Sequence, residues 1–159
     1  MTHTYLIRDS HISDVYALAR SLRDADRAEC LAYGVTPAQG LRKSFYAASY
    51  RRTAVIDDII AAMWGVCGAA LGHTAQFYLM TAPVIETMPI AFVREGRREL
   101  RKILETHDRI EGTVAIEYLA AQRLVDVMGF TFGNTFELPG GKFRPFFLEG
   151  KRDEHSLHA

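Results

Sequence analysis

Apolar residues along this chain recur with two periods, and the switches between them mark out the elements. Tyr5, Leu6 and Ile7 form a short β-type run, and from Ile12 the residues Val15, Leu18, Ala19 and Leu22 fall at helical spacing behind Ser10 and Ser13. The order is strand, then helix. In the polar stretch 23–33, Ala25, Ala28, Leu31 and Ala32 can share one helix face, and Gly34 follows where a left-handed C-terminal cap belongs. The next helix start is the sharpest in the chain. Thr36 can cap with its hydroxyl, Pro37 takes the first helical position where no N–H is needed, and Gln39 completes a capping box. Leu41, Phe45 and Ala48 or Ser49 then point inward.

After Arg51 and Arg52 the pattern turns to β-branched and apolar runs at 53–56 and 59–66, joined at Asp57-Asp58, with a third run at 75–80. These predict an antiparallel meander. Pro89 opens another helix, ending near His107, whose stripe Val93, Gly96, Leu100, Ile103 and Leu104 recurs at helical intervals. Glu99/Lys102 and Arg101/Glu105 are expected to pair on its wet side. Residues 113–118 read as a buried strand and 120–128 as an amphipathic helix stopped by Gly129. Residues 130–136 and 143–148 form a hairpin around Pro139-Gly140-Gly141. Residues 151–159 have no packing face and read as a polar tail, leaving 1–150 as one domain.

Length supports that division, because a 159-residue chain fits one domain and hides roughly two thirds of the surface it exposes when unfolded. Charge removes some partners. The 19 basic residues balance the 19 acidic ones, so no net field draws nucleic acid or an anionic membrane, and neither is expected as a partner. Cys30 and Cys67 stand alone, which suits a reducing compartment and two structural thiols. The first residues are too polar for a signal peptide, and the longest apolar stretch, 59–71, is too short and glycine-broken to span a bilayer. The expected protein is soluble and intracellular.

Two stretches carry a resemblance. Residues 115–130 (AIEYLAAQRLVDVMGF) are similar to the late strand-loop-helix element of the acyl-CoA N-acyltransferase (GNAT) superfamily, in which a strand splays from its neighbour and Gly-Phe ends the helix, here Gly129-Phe130. Residues 22–29 (LRDADRAE), Gly34, Pro37 and 41–44 (LRKS) resemble the N-terminal region of phage proteins grouped with internal virion protein A of T7-like podoviruses. That similarity continues through Trp64-Gly65-Val66 and Phe77-Tyr78-Leu79-Met80-Thr81 to Phe130. The resemblance implies an α+β fold, with a GNAT-like central mixed, mostly antiparallel sheet of about seven strands flanked by four to five helices.

The chemistry implied by the same resemblance is incomplete. A GNAT enzyme holds the acetyl-CoA pyrophosphate on backbone N–H groups of a Gly-rich loop at the start of its central helix, a natural anion site. Residues 82–91 (APVIETMPIA) stand there without a glycine, and Glu86 opposes a phosphate. Val84, Ile85 and Ile90 mark the acetyl-CoA region if the site functions. Val125 occupies the position where the family often places a tyrosine as general acid, and Tyr118 the position of a helix-opening Asn. Glu117, on the splayed strand, is the candidate general base, set against the plainer reading of a solvated strand-end carboxylate. Arg94, Arg97, Arg98, Arg101 and Lys102 form a basic helix face that reads first as a solvated surface paired with Glu95, Glu99 and Glu105, and second as a seat for a phosphate. Trp64 reads as core packing, and the six histidines lack metal-ligand spacing, so no metal site is expected.

Two functions follow from different classes. The first is a phage virion-associated or morphogenesis protein, in the virion or host cytoplasm, that keeps the fold as a scaffold. It would need no cofactor, and its partners would be other virion proteins or further copies of itself. The second is an acetyl-CoA-dependent N-acetyltransferase acting on a protein or small amine.

Overall fold

The computed structural model describes residues 2–68 and 74–150, so the 151–159 tail lies outside the described residues. The element order is β1 (Tyr5–Asp9), α1 (Ile12–Ser21), α2 (Asp24–Ala32), α3 (Pro37–Ala47), β2 (Ala48–Ile56), β3 (Ile59–Cys67) and β4 (Thr74–Thr81). A 3-10 turn at Pro83–Thr87 leads into α4 (Pro89–Leu104), β5 (Arg109–Ala115), α5 (Leu119–Val127), β6 (Thr131–Phe132), β7 (Phe136–Leu138) and β8 (Gly141–Glu149). One sheet holds all eight strands in the order β1-β2-β3-β4-β5-β8-β6, with β7 also on β8. Among the described residues only the β4–β5 pair is parallel. The α+β expectation therefore holds, with eight strands where about seven were expected. The run at 130–136 is split because the Gly133 N–H turns to the Pro145 carbonyl at 2.9 Å, leaving β6 and β7 on either side.

Local chemistry sets the boundaries. Thr36 accepts the Gln39 N–H at 3.2 Å while the Gln39 side chain accepts the Thr36 N–H at 2.9 Å, so the expected capping box opens α3. Gly34 takes φ of 77° after α2. Asp57 and Asp58, with φ of 49° and 65°, form the two-residue turn of the β2–β3 hairpin, in the conformation whose twist matches paired strands. Asp57 is useful there, since its carboxylate accepts the Thr4 N–H at 2.9 Å. Asp58 bears a left-handed backbone without such a bond. Asp58→Gly is expected to raise stability by about 0.5–1 kcal/mol, read by urea denaturation, because glycine removes the Cβ penalty at that angle.

The sheet buries a core on each face. On one side α1 and α3 cover Val15, Leu18, Leu41, Phe45 and Met63, and on the other α4 and α5 cover Trp64, Val66, Phe92, Leu100, Ile110 and Phe146. Trp64 is core, 5% exposed. One feature of α4 departs from the sequence expectation. Glu99 lies on the buried face, 3% exposed, where it accepts the Tyr50 hydroxyl at 2.6 Å and pairs with Lys102 at 3.0 Å and Arg52 at 3.5 Å. Tyr50 and Arg52 reach it from β2 and Lys102 from its own helix, so the carboxylate is satisfied without water. Arg101 and Glu105 form no ion pair. Among the described residues no helix is long and apolar enough to cross a membrane.

Candidate functional site

The parallel pairing of β4 with β5 covers only Thr74, Ala75 and Gln76 against Arg109, Ile110 and Glu111. Beyond Gln76 the strands diverge, and each turns to its other neighbour: β4 stays on β3 as far as Thr81, β5 on β8 as far as Ala115. A cavity of about 280 Å³ fills the splay. Its α4–α5 side is lined by Phe92, Gly96, Leu100, Ala121, Leu124 and Val125. Although amphipathic, α5 buries no residue fully, because its inner face looks into this space rather than onto a packed wall.

The inner edge of β4 is unpaired there. Thr81 turns its N–H and its carbonyl away from β3, toward Asp26 at 3.1 Å and the Arg23 N–H at 2.9 Å. Backbone direction alternates along a strand, so Leu79 presents its N–H and carbonyl on the same edge, facing the splay. A backbone donor and acceptor there await an extended partner.

Helix α2 lies across the opposite mouth of the splay. Its first turn holds β4, through the Asp26 carboxylate on the Thr81 hydroxyl at 2.7 Å. Its last turn holds the β5 side, through Tyr33, whose hydroxyl meets Thr113 at 2.9 Å and whose ring packs on Phe143 with centroids 5.1 Å apart. Gly140 of the β7–β8 turn abuts Ala32, where any larger residue would collide with the α2 backbone. Held at both ends, α2 directs Asp26, Glu29 and Tyr33 into the cavity from one face.

Glu29 is the distinctive group in this arrangement. Burial pushes its carboxyl up to about 7, with the neighbouring Asp26 charge adding to the effect. Asp26 is raised too, chiefly by burial, while its bonds to Thr81 and the charge of Arg23 pull the other way. Two acidic groups one turn apart, one already bound to β4 and one poised near neutrality, suit the capture and deprotonation of a cation.

The residues singled out from sequence fall differently. Glu117 is exposed in the turn after β5 and does not line the cavity, because β5 ends at Ala115. Val84 and Ile85 pack inward against the cores, while Ile90 is 80% exposed at the start of α4. The loop before α4 is closed on itself: the Ile85 N–H bonds the Ala82 carbonyl at 3.2 Å, the Met88 N–H bonds the Ile85 carbonyl at 3.1 Å, and Pro89 has no N–H. Glu86 sits in the same turn, 3.8 Å from Arg23. Among the described residues no group of His, Cys, Asp or Glu gathers as metal ligands.

This architecture matches solved structures along almost its whole length. A GNAT-family acetyltransferase from Bacillus anthracis superposes with a TM-score of 0.68 at 17% identity, covering 92% of this chain and 95% of that one. The chain has the GNAT fold. The ribosomal-protein-S18-alanine N-acetyltransferase of Escherichia coli matches with a TM-score of 0.70 at 11% identity over 98% of this chain and all (100%) of its own. Spermidine N-acetyltransferase from Vibrio cholerae, solved with CoA and spermine, matches at 0.64 and 16% identity over 92% of this chain and 95% of that one. No family model matches the sequence, and no curated protein matches it either. The likeness is one of shape: a GNAT sheet splayed between β4 and β5.

Proposed function

We propose that this protein transfers an acyl group from a coenzyme A thioester to a cationic amine, with Glu29 accepting the amine's proton. The observation that carries this reading is Glu29 itself: a carboxyl pushed up to about 7, turned into a cavity that crosses the sheet at the splay. A packed scaffold has no use for a partly buried acid without a basic partner, since burying such a group costs stability.

The residues present fit one half of an acyl-CoA and resist the other. The free edge of Leu79 and the apolar walls of α4 and α5 suit a narrow, amide-bearing arm. The turn before α4 offers the phosphates no glycine loop: the Ile85 and Met88 N–H groups bond within it, Pro89 has none, and Glu86 stands in the same turn. When bound, the thioester supplies an activated carbonyl. The chain's part is to draw an ammonium group to Asp26 and Glu29 and to move one proton from its nitrogen to Glu29, leaving a nucleophilic lone pair. Val125 carries no acid for the departing thiolate, so the second proton, which the nitrogen loses as the amide forms, passes through water to the sulfur. Spermidine N-acetyltransferase supports the substrate class only by analogy of fold.

A second reading has its own observation, the self-closed turn at Pro83–Thr87. A GNAT scaffold without acetyl-CoA, such as a phage virion-associated or morphogenesis protein contacting other virion proteins or copies of itself, would keep the shape and lose that anchor. Calorimetric titration with acetyl-CoA separates the two. Micromolar binding is expected, together with acetyl transfer to a diamine; silence up to millimolar ligand removes the enzyme reading.

A further inference from the structure

A second concavity runs along the outer face of α4, on the far side of the α4–α5 contact from the cleft. Its floor is apolar, made by Pro89, Ile90, Val93 and Val127, of which Ile90 is 80% and Val127 45% exposed. Its rim is basic. Arg94, Arg97 and Arg101 stand at i, i+3 and i+7, on one face of the helix and roughly 10 Å from first to last along its axis. Such a pairing of open apolar floor and cationic rim is unusual on a surface with no overall charge.

The three guanidinium groups are differently committed. Arg97 is fixed in place, its Nε and Nη2 donating to the Val127 carbonyl at 3.0 and 2.6 Å, which leaves donors of its fork turned outward. Arg94 shares the one carboxylate of Glu95 with Arg98, at 3.2 and 3.1 Å. Arg101 has no carboxylate partner among the described residues. The groove therefore carries an excess of positive charge over an apolar floor. It also begins at Pro89 and Ile90, where β4, leaving the wide end of the splay, passes through the 3-10 turn into α4.

We propose that this groove seats the nucleotide end of the acyl-CoA, the adenine ring against Ile90, Val93 and Val127 and the phosphates on Arg94, Arg97 and Arg101. Planar guanidinium forks match phosphate oxygens bidentately, and the arginine spacing serves phosphates on both sides of a ribose. The proposal rests on the acyl-CoA reading of the cleft and resolves its one misfit. Phosphates held by side chains on the flank of α4 need no glycine loop at its start.

The test titrates the full-length protein with three probes: adenosine 3′,5′-bisphosphate, acetyl-CoA and acetyl-pantetheine, which lacks the nucleotide. Arg94→Ala/Arg101→Ala is the variant, because both side chains are exposed, whereas Arg97 also holds the end of α5 and is left intact. The wild type is expected to bind the bisphosphate, and the double variant to lose about a hundredfold in affinity for it and for acetyl-CoA, about tenfold per charge-assisted contact. Acetyl-pantetheine should bind both proteins equally, and the wild-type affinity for acetyl-CoA should fall more steeply with salt than the variant's. Equal acetyl-CoA affinity in the two proteins, or a wild type that ignores the bisphosphate, overturns the assignment. Arginine-dependent bisphosphate binding with neither thioester bound would keep the nucleotide site and remove the acyl-transfer reading, so the two failures are distinct.

Discussion

Glu29→Gln is expected to slow acyl transfer to an amine by about a hundredfold to ten-thousandfold, the range a positioned general base contributes. Glutamine keeps the shape of the side chain and its place on α2, so donor binding should survive while the rate collapses. In the wild type the active form is the carboxylate, and burial sets its proton loss at about 7. The rate should therefore climb as pH rises through neutrality, and the variant's residual rate should lose that limb. The same substitution has an opposite effect on stability. Unfolded, Glu29 releases its proton near 4.5; folded, it holds the proton up to about 7. Between those values the folded state binds more protons, so stability falls as pH rises, and the full cost is in place above the folded value. Glutamine removes that cost, a gain on the order of 2 kcal/mol on the alkaline side after allowing for partial exposure, and none on the acidic side. Urea denaturation at both pH values, beside steady-state rates, reads the pair of effects. A variant that turns over normally, or that is no more stable in alkali, would remove Glu29 from the role.

How much of this was legible in the sequence depends on the range of the contacts involved. The turn at Asp57-Asp58 and the capping box of Thr36 and Gln39 are made by neighbours, and local pattern foretold both. So did the absence of a glycine before α4, which the closed turn at Pro83–Thr87 makes concrete. Glu29 was not legible in this way. Its orientation depends on α2 lying across the splay, and that depends on Asp26 reaching Thr81 and Tyr33 reaching Thr113, contacts 55 and 80 residues apart in the chain. One signal was present: Asp26, Glu29 and Tyr33 fall at i, i+3 and i+7, a polar stripe on a helix whose other faces already carry the solvent-facing charges. Glu99 shows the converse. Its i, i+3 spacing to Lys102 predicts the pair but not its burial, because Tyr50 and Arg52, which make that burial tolerable, come from a strand nearly fifty residues earlier. The run at 113–118 predicts a strand through Glu117, whereas β5 stops two residues short of it, at Ala115.

At the β1 edge of the sheet, Asp14→Asn is expected to destabilise the fold by about 3–5 kcal/mol, the range for breaking a buried charge pair. Asp14 is 3% exposed and sits at the meeting point of three elements. Arg8 of β1 grips it with both terminal nitrogens at 2.7 and 2.9 Å, the Thr53 hydroxyl of β2 donates at 2.9 Å, and the His11 N–H that opens α1 donates at 2.9 Å. Burial alone would raise this carboxyl. The Arg8 fork, the His11 N–H and the Thr53 hydroxyl outweigh it and hold Asp14 below the usual carboxylate range. Asparagine presents one oxygen in place of two and no charge, so it strands Arg8 and loosens the start of α1, while the buried Thr53 hydroxyl keeps the Ser10 hydroxyl at 2.8 Å as its partner. A depressed folded pKa makes the pair's contribution full above the unfolded value and lost as pH falls through the folded one. The wild type should thus weaken in acid by more than the variant does, and the two stabilities should converge there. Because Asp14 touches nothing in the splay, the folded fraction of the variant should bind acetyl-CoA with unchanged affinity. A stability loss under about 1 kcal/mol, the scale of an exposed pair, would show that Arg8 and Asp14 are no more than a surface contact.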